Sequence, residues 1–335
     1  MTDWAWLALV FLASCSLTWL VRQLATHNKV MDLPVARSAH QRPVPVGGGL
    51  AFIACFYLFA SFSFLQQVFP FQVYMALLGG LAVAALGLLD DIYRLGVRLR
   101  LAIQFAVAIW TVLWLGPPAG IQVADWFLDI PWLIGILSVF AMVWLINLYN
   151  FMDGIDGLAG SEACFVTLVT YMIAINSSDQ VTTQMSAVIC VSVAGFLVFN
   201  WPPAKIFMGD AGSGFIGYIL GAMALISMQN ASITLWTWLL LLAVFVVDAT
   251  VTLFRRVKSR QKWSMSHNTH AYQHATRKYH SHRTVTLSVL LINVFWLAPL
   301  ALYATAYPRL GVYLTLLAVI PLALLAIHLN AGKSA

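Results

Sequence analysis

The sequence predicts an all-α fold: a polytopic integral membrane protein of about eleven transmembrane helices. Three observations carry this. Of 335 residues, 61% are hydrophobic and only 9% are charged, against about 25% in an ordinary soluble domain. The mean hydropathy is +0.85. The apolar residues fall in runs of the length a bilayer needs, about 20 residues for a core of ~30 Å. A soluble chain of this size could not cover its surface with so few charges. Secreted disulfide scaffolds, disordered chains and nucleic-acid-binding domains are therefore excluded.

Taken in order, the runs are 4–24, 49–67, 71–89, 99–116, 131–149, 158–176, 184–201, 213–229, 233–253, 284–304 and 310–329. Pro70 and Pro308 mark the turns between the two closest pairs. The first run has no basic segment before it and reads as an uncleaved span rather than a signal peptide. Cys15, Cys55, Cys164 and Cys190 lie singly in apolar runs, which supports neither a disulfide nor a zinc site.

Alternating spans sort the connections into two sets. Loops 25–48, 90–98, 150–157, 202–212 and 254–283 are long and polar; the others are short and bland. Of the 18 Lys and Arg residues, only Arg309 falls outside the polar set and its side of the membrane, and all eight His residues share that side. The positive-inside rule then makes the polar loops cytoplasmic, with the N-terminus periplasmic and the C-terminus cytoplasmic. The whole chain, 1–335, reads as a single membrane domain whose chemistry sits in those five loops.

In the loop 90–98, Asp90 and Asp91 are adjacent. Such a pair repels unless a cation lies between them or one acid is protonated. Mg²⁺ shared with a phosphate substrate meets that need; a solvated helix end with Arg94 as partner also would. In the loop 150–157, two Asp-Gly pairs force tight turns that bring Asn150, Asp153 and Asp156 into a small volume, beside the N-terminus of the next span. A plain Asn/Asp/Gly turn is the alternative. The loop 202–212 offers Asp210 as a metal ligand and Lys205 as a point charge for a diphosphate. Its Phe207 can stack on a base or dock back into the interface.

The loop 254–283 carries Arg255, Arg256, His267, His270 and His274. A metal site, a phosphate-binding patch and a polybasic lipid contact all remain open there. Zinc fits worst, because the loop has no Cys or nearby carboxylate, and phosphate binding suits the other loops best. His280 and His282 read as solvated. The first polar loop supplies Arg37, His40 and Arg42 with prolines and three glycines, as a substrate contact or as a stiff connector. Asp248 is the one acid read inside a span, either functional or snorkelling to the interface.

Nothing here looks like a nucleophilic triad. Acids, glycine turns, bases and an aromatic at a membrane edge suit phosphoryl transfer, with a lipid phosphate as one substrate and a soluble donor as the other.

From about residue 32 to 283 the chain resembles the polyprenyl-phosphate N-acetylhexosamine-1-phosphate transferases. The resemblance rests on Asp90-Asp91, on the segment Asn150 to Gly160, on Lys205 to Ser213, and on the histidine segment His267 to Gln273. Arg37 to His40, followed by Pro43, Pro45 and three glycines, is similar to the branch that starts O-antigen or other surface glycans.

The resemblance implies a Mg²⁺-dependent reaction at the bacterial inner membrane. A UDP-N-acetylhexosamine (GlcNAc, FucNAc or QuiNAc type) and undecaprenyl phosphate give undecaprenyl-diphosphate-sugar and UMP. It makes Asp210 the Mg²⁺ ligand with Asp91 beside it. Asp90 deprotonates the lipid phosphate or shapes its attack, supported by Asp91, and Asp156 joins the catalytic set. Phe207 stacks on uracil. Asn150, Asp153, Lys205, His267, His270, Arg37, His40 and Arg42 contact substrate. Val46 and Asn268 stand where the family often has basic residues, which bears on fine contacts. Direct attack by the lipid phosphate is preferred to a covalent intermediate. No nucleic acid partner is expected, and a homodimer is compatible with the apolar spans.

Two other readings make different demands. A membrane prenyltransferase shares the acidic loops and Mg²⁺ but needs neither the histidine loop nor the Lys205–Ser213 segment. A transporter calls for polar residues in mid-span and an internal repeat, and no repeat is evident.

Overall fold

The computed structural model describes residues 3–32, 42–261 and 267–333. Helix α1 (Asp3–His27) leads into a two-stranded ribbon, β1 (Met31–Asp32) with β2 (Val44–Pro45). Then come α2 (Gly49–Leu65), α3 (Phe71–Leu77), α4 (Gly79–Tyr93) and α5 (Val97–Leu115). A second ribbon, β3 (Ile121–Val123) with β4 (Trp126–Leu128), precedes α6 (Pro131–Met152), α7 (Leu158–Ala174), α8 (Gln180–Asn200) and α9 (Asp210–Gln229). The chain continues through α10 (Leu235–Leu241), α11 (Ala243–Lys258), α12 (Ala271–Tyr279) and α13 (His282–Ile292). It ends with α14 (Ala298–Ala306) and α15 (Gly311–His328).

Each predicted apolar run is helical. Among the described residues, eight helical segments are long and apolar enough to cross a membrane, counting α3–α4 as one and α13–α14 as one. The two helices α2 and α7 are shorter, at 17 residues each. The run at 233–253 is not a straight span: α10 and α11 meet at an angle of 79°. Between α13 and α14 the helix widens into a π-helical turn, Asn293–Leu297.

Helix α9 is the core. Almost every residue from Ala211 to Ser227 is buried, because Gly212, Gly214, Gly217, Gly221 and Ala222 let neighbouring backbones approach. It packs on α4 and α6. The outer helices instead expose large apolar side chains such as Leu113, Phe140 and Leu324, the surface a lipid solvent calls for. All four cysteines are free thiols.

The statement that Asp248 is the one acid inside a span is corrected here. Glu162 lies within α7, 1% exposed, and accepts a hydrogen bond of 2.5 Å from Asn293 Nδ2 in the π-helical turn. A lone acid in an apolar run is masked by its neighbours when composition is read by window.

Candidate active site

The site forms where the cytoplasm-assigned ends of α4, α6 and α9 meet. Gly87 lets α4 lie against the first turn of α9, since a Cβ there would overlap the Asp210–Ala211 peptide. Gly209, at φ +79°, makes the left-handed turn that starts α9, a conformation costly for any residue with a Cβ. These two positions bring Asp90, Asp91 and Asp210 together from two distant loops.

Asp91 accepts the backbone N–H of Asp210. Asn150, at the end of α6, donates from Nδ2 to Asp210 Oδ1 at 2.7 Å and to Ser213 Oγ at 3.3 Å. Asp153 follows at the end of α6. Burial pushes its carboxyl well above the ordinary carboxylate range, and the charges of Asp210, Asp91 and Asp156 push it further.

Asp90 is paired, but not with Arg94. Its Oδ2 takes the guanidinium of Arg100 from α5, and Oδ1 accepts the Leu95 N–H at 2.7 Å. Arg94 instead closes α4 in a left-handed conformation at φ +52°. Arg100, four residues before the buried Gln104, faces a cleft that Leu86, Asn147, Asn150 and Asp210 also line. A turn of helix, not sequence adjacency, supplies the partner.

Asp156 joins two further segments to the site. Its Oδ2 accepts the Ala204 N–H at 3.0 Å, and Oδ1 lies 3.2 Å from His282 Nδ1. His282, read as solvated, is therefore a partner of Asp156 and largely buried, while His280 is exposed. The carbonyl of Asp156 accepts from Thr286 Oγ1 at 3.1 Å. Asp156 thus ties the third polar loop to the fourth and to α13. Asn200 does similar work: Oδ1 accepts the Gly157 N–H and Nδ2 donates to the Ile206 carbonyl, both at 3.0 Å. A polar residue ending an apolar run was the only signal of it in the sequence.

Phe207 is half-buried and its backbone joins the first polar loop. Its N–H donates to the Pro45 carbonyl at 2.8 Å, and its carbonyl accepts from Gly48 N–H at 2.9 Å. Lys205 and Arg42 are exposed at the surface. Arg37 and His40 lie outside the described residues.

In the histidine segment, the His267 and His270 rings stack with centroids 5.0 Å apart, and the His270 ring lies 6.0 Å from that of Phe151. Burial, with the charges of His270 and Arg256, lowers His267 to about 4. Without a ligand, burial therefore disfavours the charged ring. The expectation that no carboxylate is near this loop is also corrected, because Asp248 reaches it from α11.

Among the described residues, no three Asp, Glu, His or Cys side chains form a closed metal cage. The donor set still suits Mg²⁺, which takes one or two carboxylates, waters and substrate phosphates rather than an all-protein cage. Asp91 and Asp210 are such a pair. Among the described residues, no ion pair neutralises either of them.

The geometry defines a polytopic membrane protein with a convergent acidic site at one end of its central helix. Residues 73–228 match the family model "Glycosyl transferase family 4". The decaprenyl-phosphate N-acetylglucosaminephosphotransferase of Mycolicibacterium smegmatis is 32% identical over 327 residues, covering 85% of this chain and 79% of that protein. A probable undecaprenyl-phosphate N-acetylglucosaminyl 1-phosphate transferase of Bacillus subtilis is 29% identical, covering 83% and 78%. The undecaprenyl-phosphate alpha-N-acetylglucosaminyl 1-phosphate transferase of Yersinia pestis is 28% identical, covering 74% and 70%. The chain belongs to the polyprenyl-phosphate N-acetylhexosamine-1-phosphate transferases of glycosyl transferase family 4.

Proposed function

We propose that this enzyme transfers an N-acetylhexosamine 1-phosphate from its UDP-sugar to undecaprenyl phosphate at the cytoplasmic face of the bacterial inner membrane, the first membrane step of O-antigen or another surface glycan. An oxygen of the lipid phosphate attacks the phosphorus that carries the sugar. A new P–O bond forms there, the bond to UMP breaks, and UMP leaves with the electron pair. The observation that most supports this is the meeting of Asp91, Asn150 and Asp210 from three separate loops, in a chain whose relatives are named for such transfers.

Bound Mg²⁺ supplies positive charge that offsets the charge developing on the diphosphate. Asp210 and Asp91 would hold it. Asn150 fixes the orientation of the Asp210 carboxylate through Oδ1. Asp90 is held and oriented by Arg100 and the Leu95 N–H. A carboxylate so engaged is a poor covalent nucleophile, which favours direct attack by the lipid phosphate. Arg100 is placed to pass from Asp90 to that phosphate as a bidentate partner. Phe207 offers a face for the uracil, and the stacked rings of His267 and His270 offer hydrogen-bonding contacts to the sugar diphosphate.

The test uses purified enzyme, undecaprenyl phosphate, Mg²⁺ and a panel of UDP-GlcNAc, UDP-FucNAc and UDP-QuiNAc. Release of UMP with lipid-diphosphate-sugar formation is expected for at least one donor. Prenyl transfer without UMP, or solute uptake without transferase activity, would overturn the reading.

A further inference from the structure

Asp248 sits in the membrane-embedded helix α11 and is 5% exposed. Its carboxylate does not snorkel to water. Oδ1 accepts the Ala271 N–H at 2.8 Å and the Thr252 hydroxyl at 3.1 Å, and Oδ2 accepts the Tyr272 N–H at 2.9 Å. His270 Nδ1 lies 3.3 Å from Oδ1. Ala271 and Tyr272 open α12, so their N–H groups have no acceptor inside the helix. A carboxylate at a helix N-terminus also meets the favourable end of the helix dipole. Burying an ionised acid is costly unless donors replace its water, and here both backbone donors come from the segment it holds, with the Thr252 hydroxyl added from α11 itself.

That segment reaches the acidic cluster. Tyr272 Oη donates to the Phe151 carbonyl at 2.9 Å. Phe151 follows Asn150, whose amide donates to Asp210. The His270 ring lies between those of His267 and Tyr272, at 5.0 and 5.8 Å. One buried carboxylate therefore fixes the start of α12, and through it the two histidines and the Phe151 backbone.

We propose that Asp248 is a positioning residue that seats the histidine loop against the nucleotide-sugar side of the site. This rests on the transferase reading above. It separates the two substrates: the loop lies beside Phe151 and Asp153, whereas the lipid phosphate is assigned to Asp90 and Arg100 on the α4–α5 side. Asparagine cannot replace the acid, because its NH₂ would face an N–H of Ala271 or Tyr272.

The full-length purified enzyme carrying Asp248→Asn is compared with wild type in two measurements. The first is KM for the UDP-sugar and for undecaprenyl phosphate. The second is amide hydrogen exchange over residues 267–276. The variant should raise the UDP-sugar KM by roughly tenfold, leave the undecaprenyl phosphate KM within about twofold, and speed exchange at Ala271 and Tyr272 while α6 and α9 stay protected. Thr252→Val, which removes one of the hydrogen bonds, should shift both readouts the same way by less, and it keeps the test open if Asp248→Asn does not fold. Unchanged KM values with unchanged local exchange overturn the proposal. So does a rise in both KM values with faster exchange throughout α6 and α9, which would mark a general loss of fold. If wild type releases no UMP from any donor, the transferase reading fails, and the exchange measurement alone decides the seat.

Discussion

The backbone N–H of Asp210 donates to the Asp91 carboxylate, 3.1 Å to Oδ2 and 3.3 Å to Oδ1. One acid thus caps the helix that carries the other, and Asn150 takes the Asp210 side chain from the far side at 2.7 Å. Asp210→Asn and Asp91→Asn should each abolish turnover while the protein remains folded in detergent. Asn150→Ala removes only the orienting bond, so it should cost about 10–100-fold in Mg²⁺ affinity or activity. Titrating Mg²⁺ in the UMP-release assay checks both. Near-normal turnover by Asp210→Asn would remove the metal assignment.

Arg100 and Asp90 form a pair that single substitution should expose. Arg100→Gln leaves Asp90, which is nearly buried, short of a partner, and should lower stability by about 1–3 kcal/mol. Adding Asp90→Asn should recover most of that stability but no activity. Thermal midpoints of the single and double variants, read as a cycle, measure the coupling. Activity in the double variant would show that neither charge serves the reaction.

Asp153 links the site to pH. Its carboxyl holds its proton above the ordinary carboxylate range, mainly through burial. The folded state therefore binds that proton more tightly than the unfolded chain. The stability this contributes is present at low pH and is lost as pH rises through the raised value. Mg²⁺ should displace the proton, so Mg²⁺ affinity should strengthen with rising pH, and calorimetry in buffers of different ionisation enthalpy should detect proton release. EDTA should stop turnover and Mg²⁺ restore it. Asp91 and Asp210 are also raised, to about 6 and about 7, mainly by burial, so binding without proton release would count against the ion entering this cluster of three acids.

Glu162 and Asn293 make a separate test inside the membrane region. Glu162 Oε2 takes the Asn293 amide, while Glu162 Oε1 and Asn293 Oδ1 have no hydrogen-bond partner. Glu162→Gln supplies an NH₂ that can reach Asn293 Oδ1, so the thermal midpoint should hold or rise. Glu162→Leu strands the Asn293 amide and should cost about 1–3 kcal/mol. A stable Leu variant would show that the pair contributes little to holding α7 on the π-helical turn.

Much of the framework was legible because lipid imposes a simple rule: backbone polar groups must be satisfied within a helix, so apolar runs become helices. The sequence therefore located every apolar helical run, but it read α12, which is polar and lies within 254–283, as part of a loop. It did not reveal the 79° bend between α10 and α11, since the residues at the break, Leu241 to Val244, are all apolar and no Pro or Gly marks it. It also passed over Glu162, one acid averaged into an apolar window.

The candidate site divides in the same way. The residue types were written in the chain: paired acids, Asp-Gly turns and the histidine segment each stand out locally. Their partners did not, because the decisive contacts join residues far apart in sequence. Asn150 meets Asp210 across 60 positions, and Asp156 finds its side-chain partner in His282, 126 positions on. Asp248 looked like an isolated membrane acid until α12 supplied its donors. Periodicity and composition record what each segment needs from its solvent. Only packing around α9 decides which segments meet, because hydrogen bonds act over a few ångströms and depend on where each helix end comes to rest.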